Sequence, residues 1–137
     1  MGLFPGRRPD DIGVRGGRLK PVPSSPNAVS SQAPRGDDHA IEPLTYRGRP
    51  DAAMVALEGI VAALPRTRVV ERKDDYLHAE CESALLGFVD DLEFYLPPEG
   101  GVIHVRSASR LGHSDLGVNR RRVEEIRARL AKVLPPK

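Results

Sequence analysis

Two alternating runs, Phe88 to Leu96 and Ile103 to Leu111, flank the turn-forming Pro97-Pro98-Glu99-Gly100-Gly101, and they oblige this chain to build an antiparallel hairpin. The register follows from the pattern, because a slip of one residue exchanges the two faces of a strand. Setting Leu96 against Ile103 brings Phe94 opposite Val105, Leu92 opposite Ser107, Asp90 opposite Ser109 and Phe88 opposite Leu111. The other face then pairs Tyr95 with His104, Glu93 with Arg106, Asp91 with Ala108 and Val89 with Arg110. A slip by one would place Leu92 against Arg106 and Phe88 against Arg110. On the polar face, Asp91, Glu93, Arg106 and Arg110 form a ladder of opposite charges. On a solvated surface such pairs contribute roughly 0–1 kcal/mol each, so the expected role of the ladder is to fix register and solubility.

Asp90 is different, since it alone puts a charge on the apolar side of the hairpin. An unpaired buried carboxylate costs several kcal/mol, so it requires a partner. Ser107, Ser109 and a guanidinium of Arg120, Arg121 or Arg122 are the candidates. Two roles follow: a tether between sheet and last helix, or a carboxylate in a cleft at that helix's start. Polar residues converge where the hairpin ends and the helix begins. The candidate ligand-binding set is therefore Asp90, Ser107, Ser109, Asp115, Asn119 and Arg120, with no catalytic residue assigned.

The other elements are shorter. Ile41 to Arg47 offers a first strand broken at Pro43, and a helix opens at Pro50-Asp51 with Asp51 as N-cap. Ala53, Leu57, Ile60, Val61 and Leu64 give that helix a buried stripe, and Pro65 stops it. Thr67 to Arg72 and Tyr76 to Ser83 read as strands around a Lys73-Asp74-Asp75 turn. Leu77, Ala79 and Cys81 line one face of the second, with His78, Glu80 and Glu82 on the other. A last helix runs from Leu116 or Asn119 to Leu134, with Val123, Ile126, Leu130 and Val133 inward. The order β-α-β-β-β-β-α predicts an α+β domain over 41–137, in which an antiparallel sheet of four to five strands carries two helices on one face. The TATA-binding-protein-like fold has this element order, an analogy of fold that implies no DNA binding. Residues 1–40 are rich in Gly, Pro, Ser and Arg without period, so they form either a loose arm or a wrap pinned by Leu19, Val22 and Val29.

Composition narrows the function classes. The 137 residues allow one small domain. No stretch approaches the roughly 20 apolar residues of a membrane span, and the N-terminus lacks the apolar region of a leader, so no membrane insertion and a cytoplasmic location are expected. The single cysteine, Cys81, excludes an internal disulfide and a Cys-rich zinc site; Glu80 and Glu82 beside it would raise its thiol pKa. Residues 71–99 carry two basic against nine acidic side chains, and residues 100–137 nine basic against three acidic. The two regions should satisfy each other, and with aromatic content at 4% the stacking platforms of single-strand binders are missing, so nucleic acid is an unlikely partner. Gly112-His113-Ser114-Asp115 fails the nucleophile-elbow spacing, its second glycine falling at 117 instead of 116. The four histidines, His39, His78, His104 and His113, show no ligand spacing. The one metal site these residues could assemble would join Asp90, His113 and Asp115. No cofactor and no metal are expected.

Several motifs together resemble the domain of unknown function 1499 family, a bacterial and plastid-associated group. They are Arg8-Pro9 with Leu19, Ser25-Pro26-Asn27 with Val29-Ser30-Ser31-Gln32, and Ile41-Glu42-Pro43-Leu44. The hairpin adds Phe88-Val89-Asp90-Asp91-Leu92-Glu93-Phe94 and Ile103-His104-Val105-Arg106-Ser107-Ala108-Ser109-Arg110. Gly112, Ser114-Asp115-Leu116-Gly117 and Asn119-Arg120-Arg121-Arg122-Val123-Glu124 complete it. The resemblance implies that residues 1–40 wrap the core. It supplies no catalytic residues. Family members commonly carry two cysteines where this chain has Val22 and Ala28, so any role of those cysteines does not apply here. The expected function is non-enzymatic binding of a small ligand or a protein partner. The alternatives are a hydrolase-like enzyme using Asp90 or Asp115 as general base, and a scaffold module.

Overall fold

The computed structural model of the protein describes residues 6–84, 87–112 and 114–136. Its elements in chain order are β1 (Val14–Arg15), β2 (Arg18–Leu19), β3 (Ala28–Ser30), β4 (Leu44–Thr45), α1 (Pro50–Ala62), β5 (Thr67–Arg72), β6 (Tyr76–Glu82), β7 (Val89–Tyr95), β8 (Val102–Ser109) and α2 (Val118–Val133). Strands β5 to β8 form an antiparallel meander in sequence order. The central hairpin has the register its pattern dictates, six pairs from Asp90↔Ser109 to Tyr95↔His104. Gly100 and Gly101 turn it at φ 80° and 83°, values open to glycine without the Cβ clash.

The sheet is larger than the sequence suggests. Strand β3 pairs with the second half of β8, Ala28↔Ala108 to Ser30↔Arg106, and β4 pairs with its first half at Leu44↔Ile103. One long strand thus carries two short ones along its outer edge, giving six strands where four to five were expected. Strands of two and three residues are too short to show a period of two. The expected strand over Ile41 to Arg47 contracts to Leu44–Thr45 because Pro43 cannot donate to a ladder. A separate two-stranded ribbon pairs β1 with β2.

Both helices pack on one face of the sheet. Met54, Leu57 and Val61 of α1 and Val123, Ile126 and Leu130 of α2 meet Leu77, Ala79, Leu92, Phe94, Ile103 and Val105. Two details differ from expectation. Pro50 occupies the first helical position and Arg49 the cap, so Asp51 lies one place inside; the fixed φ of proline suits that position. Val133 is exposed, and Leu134 packs against the core in its stead, because the chain leaves the helix there in an extended conformation. Among the described residues no helix is long and apolar enough to cross a membrane.

The other face of the sheet is also covered. Gly13 donates its N–H to Glu93 Oε1 at 2.9 Å, Arg106 reaches the Pro21 carbonyl, and Leu19 is buried. The ladder expected on a solvated face is therefore an interior layer. Glu93 is 0% exposed, Asp91 2% and Arg106 4%. No periodic signal marks the covering segment, which contributes backbone groups together with the side chains of Leu19 and of Arg8, the latter paired with Glu80.

Candidate functional site

The polar residues expected at the start of the last helix meet in one network between β8, β3 and α2. Ser107 donates to Asn119 Oδ1 at 2.5 Å, and Arg122 Nη1 donates to the same oxygen at 2.8 Å and to Ser107 Oγ at 3.1 Å. The amide nitrogen of Asn119 faces three acceptors: Asp115 Oδ2 at 2.7 Å, Ser109 Oγ at 3.0 Å and the Asn27 carbonyl at 3.1 Å. Donors gathered on one side of that amide and acceptors on the other fix its orientation. Asn119 and Ser107 are fully buried.

Asp90 joins the network through Arg122, whose Nη2 lies 2.9 Å from Asp90 Oδ2. Of the three arginines the sequence offered, helical geometry selects this one. Asn119, Arg122, Val123 and Ile126 share the inward side at spacings of three and four, whereas Arg120 and Arg121 are rotated off it. Arg120 instead crosses to the Asp38 and Ala40 carbonyls at 2.8 and 3.1 Å. Five of the six expected residues therefore meet, and Arg120 does not.

Asp115 organises the helix start. Its carboxylate accepts from the N–H of Gly117 at 2.8 Å and of Asn119 at 3.0 Å, satisfying donors that the first turn leaves open. Burial pushes its pKa up, but these bonds and the Asn119 amide outweigh it and hold the carboxyl below its usual range. Gly117 sits at φ 82°, and a Cβ there would stand 3.0 Å from Arg121 Nη1. Sequence reasoning missed Asn27, which accepts from Ser109 N–H through its carbonyl and donates from Nδ2 to the Gly112 carbonyl at 2.6 Å. His113, needed for a metal site with Asp90 and Asp115, lies outside the described residues.

A second network fills the opposite face. Arg110 donates from Nε to Asp91 Oδ2 and from Nη2 to Asp91 Oδ1, both at 2.8 Å, and also to Glu80 Oε2. His78 Nε2 lies 2.8 Å from Asp91 Oδ1. Burial pushes the Asp91 pKa up, yet the bonds from Arg110 and His78 bring it below the ordinary carboxylate value. Glu93 accepts from Arg106 Nη1 at 3.2 Å and from the Tyr76 hydroxyl at 2.7 Å. The Tyr76 phenol is raised first by burial and then by Glu93, which keeps it a donor. Arg106 Nε is buried without a hydrogen-bond partner among the described residues. His78, Glu80 and Asp91 bring ligand atoms within 4.8 Å of one another, a spacing that could hold a metal ion. Arg110 pairs with Asp91, and Arg8 and Arg68 join it on Glu80, so both carboxylates already have cationic partners and the set does not need one.

A family model described as "Protein of unknown function (DUF1499)" matches residues 18–130. The chain belongs to this family. The match takes in β3, the hairpin, the Asp115 turn and α2 up to Leu130, so both buried networks of this DUF1499 domain lie almost wholly inside it. No curated protein matches the chain.

Cys81 of the DUF1499 domain faces the helices opposite Asp90. Its thiol pKa is raised, by burial first and not by Glu80 and Glu82, whose side chains point to the other face. Outside the Asn119 network a cleft of about 280 Å³ opens beside Ser114, Asp115 and Arg120, with Asp38 and His39 opposite. His39 Nδ1 lies 2.5 Å from Asp37 Oδ1 and Nε2 lies 2.8 Å from the Ser25 carbonyl. Both partners can only accept, so both ring nitrogens donate and the ring is an imidazolium. Its pKa is raised accordingly, by the Ser25 carbonyl first and by Asp37 next.

Proposed function

We propose that the chain is a non-enzymatic binding domain that takes a small polar ligand in the cleft at the start of α2. Asp115 and Arg120 stand on its rim, and Asp90, Ser107, Ser109 and Asn119 form its rigid support. The observation that carries this reading is the contrast between support and rim. The buried residues spend their hydrogen bonds on one another and fix Asp115 from behind, while the Asp38 and Ala40 carbonyls orient Arg120. Arg120 uses two of its five N–H donors on carbonyls, leaving others for an acceptor on a ligand. The volume of about 280 Å³ suits a molecule at the small end of the ligand range.

Catalysis fits the same residues less well. Asp90 is bound to Arg122, and Asp115 is held ionised by N–H donors, the state of a weak base at neutral pH. A protein partner is favoured by one observation: Leu116, on the turn carrying Asp115, is 83% exposed. A thermal-shift panel of small carboxylates, sugars and amino acids on wild type, Arg120→Ala and Leu116→Asp decides between them. A ligand that stabilises wild type and Leu116→Asp but not Arg120→Ala supports the small-ligand reading. Stabilisation that survives Arg120→Ala unchanged would refute it.

A further inference from the structure

A second groove lies on the far side of α2 from the proposed cleft, between that helix and the start of β5. It measures about 400 Å³, and Arg66 and Arg121 enter it from different elements, with Leu64, Pro65 and Val118 as apolar wall. These two arginines differ from the others nearby in what they bind. Arg122 is matched by Asp90 and Arg129 by Glu125, and Arg68 shares Glu80 with Arg8 and Arg110. Arg66 donates from Nε to the Glu82 carbonyl at 3.2 Å, and Arg121 from Nη1 to the Leu116 carbonyl at 2.9 Å. Among the described residues neither is in an ion pair. Neutral carbonyls orient a guanidinium without cancelling its charge, so two guanidinium groups outside any ion pair among the described residues face one groove, which Glu82 also lines and where the excess charge stays positive.

Arg66 is also held where it is. Its backbone adopts φ 52°, a left-handed value uncommon for a residue with a side chain. The Glu82 N–H donates to its carbonyl at 2.9 Å, so backbone and side chain are both bound to Glu82. A long side chain tethered at both ends loses less entropy when it meets a ligand.

We propose that this groove binds a phosphate group attached to an apolar moiety, the phosphate between Arg66 and Arg121 and the apolar part against Leu64, Pro65 and Val118. Guanidinium forks match phosphate oxygens in charge and in planar geometry. The apolar wall is of no use to a bare inorganic ion. The chemistry is common to a free organic phosphate and to an anionic lipid headgroup at a membrane surface.

Titration calorimetry with inorganic phosphate and octyl phosphate, and co-sedimentation with vesicles of phosphatidic acid in phosphatidylcholine, tests it at fixed ionic strength. Octyl phosphate is expected to bind more tightly than inorganic phosphate, by ~4-fold for each methylene buried. The pair Arg66→Ala and Arg121→Ala should weaken binding by about tenfold or more. Val118→Ser, which removes apolar wall without adding charge, should reduce the alkyl advantage and leave binding of inorganic phosphate in place. Arg121→Glu alone repeats the test without touching the bonds between Arg66 and Glu82. Binding of octyl phosphate without vesicle association identifies a free ligand, and vesicle association beyond that of pure phosphatidylcholine identifies a headgroup. No saturable binding to any of the three probes overturns the proposal, as does binding unchanged in Arg121→Glu and in the double variant.

Discussion

Glu93→Gln separates a solvated charge ladder from a buried one. The substitution preserves size, and the amide oxygen can still accept from the Tyr76 hydroxyl and the Gly13 N–H. What it removes is the partner of Arg106, replacing a carboxylate oxygen 3.2 Å from Nη1 with an amide that has only one acceptor. Arg106 has little else within reach: its Nη2 meets the Pro21 carbonyl at a long 3.5 Å, and its Nε has no partner among the described residues. Breaking one member of a buried pair costs about 3–5 kcal/mol, because the remaining charge stays desolvated. For a chain of this size that corresponds to a fall in Tm of roughly 10–20 °C. A ladder on open surface would lose about 0–1 kcal/mol and move Tm by only a few degrees. Urea unfolding followed by far-UV circular dichroism gives the free energy directly, and an unchanged m-value confirms that the denatured state is not responsible. A loss below about 1 kcal/mol would refute the burial argument. Tyr76→Phe serves as the calibration, expected to cost about 1.5–3 kcal/mol by removing a single bond to a charged acceptor.

The remaining predictions probe the other network and the titrating groups. Asp90→Asn should destabilise by about 2–4 kcal/mol, below the full cost of a broken buried pair because Arg122 keeps Ser107 and Asn119 as acceptors; chemical denaturation measures it, and a loss within 0.5 kcal/mol, the typical surface value, would contradict the tether. The folded pKa of His39 is raised above its unfolded value, so the stability it contributes is complete below the unfolded pKa and disappears as pH rises through the folded one. His104 has the opposite sign, its pKa lowered by burial first and by Arg18 next, so its contribution fades as pH falls. The Tm of wild type minus that of His39→Gln should therefore shrink between near-neutral and alkaline pH, and a difference constant across that range would show that folding does not raise the pKa of the ring. Cys81 should resist thiol reagents in the native protein and react at a rate that climbs with urea, since its thiol is buried and its pKa raised; labelling in native buffer as fast as in the unfolded chain would contradict its burial.

The sequence reveals the register of the hairpin, though the ladder runs only from Asp90–Ser109 to Tyr95–His104 and stops short of the expected ends, and it reveals the surroundings only in part. Register was legible because two constraints agree: apolar residues fall on one face, and complementary charges fall opposite each other on the other. The partner of Asp90 was legible down to two serines and three arginines, and the period of Val123, Ile126 and Leu130 singles out Arg122 among the arginines once that stripe is set against the core. The short edge strands were not legible, since three residues at Ala28–Ser30 carry no period. Burial of the ladder was hidden for a related reason. The contacts of the cover with Glu93 and Arg106 use main-chain groups, the Gly13 N–H and the Pro21 carbonyl, which leave no compositional trace, and its side-chain contacts through Arg8 and Leu19 follow no period. Asn27 could be noticed only as part of a turn-like Ser-Pro-Asn stretch, because its role depends on Ser109 and Gly112, more than eighty positions away.

The adjacent carboxylates Asp90 and Asp91 explain why the hairpin carries charge on both faces. Successive residues of a strand point to opposite sides, so Asp90 reaches the helical layer and Asp91 reaches the layer under the N-terminal segment. Each finds an arginine there, Arg122 at 2.9 Å and Arg110 at 2.8 Å. Apolar patterning alone would tolerate some slippage at this end of the hairpin, where Ser107 and Ser109 replace large side chains. The ions do not tolerate it. A one-residue shift of β7 on β8 would move Glu93 off Arg106 and Asp91 off Arg110, leaving buried charges unpaired at a cost of several kcal/mol each. A buried ion pair adds little net stability compared with an apolar pair of the same volume, but it penalises wrong pairings heavily. The two networks therefore act chiefly as a register lock. They hold one strand pair in the single alignment that presents Asp90 to α2, and with it the Asn119 and Asp115 geometry at the mouth of the proposed cleft.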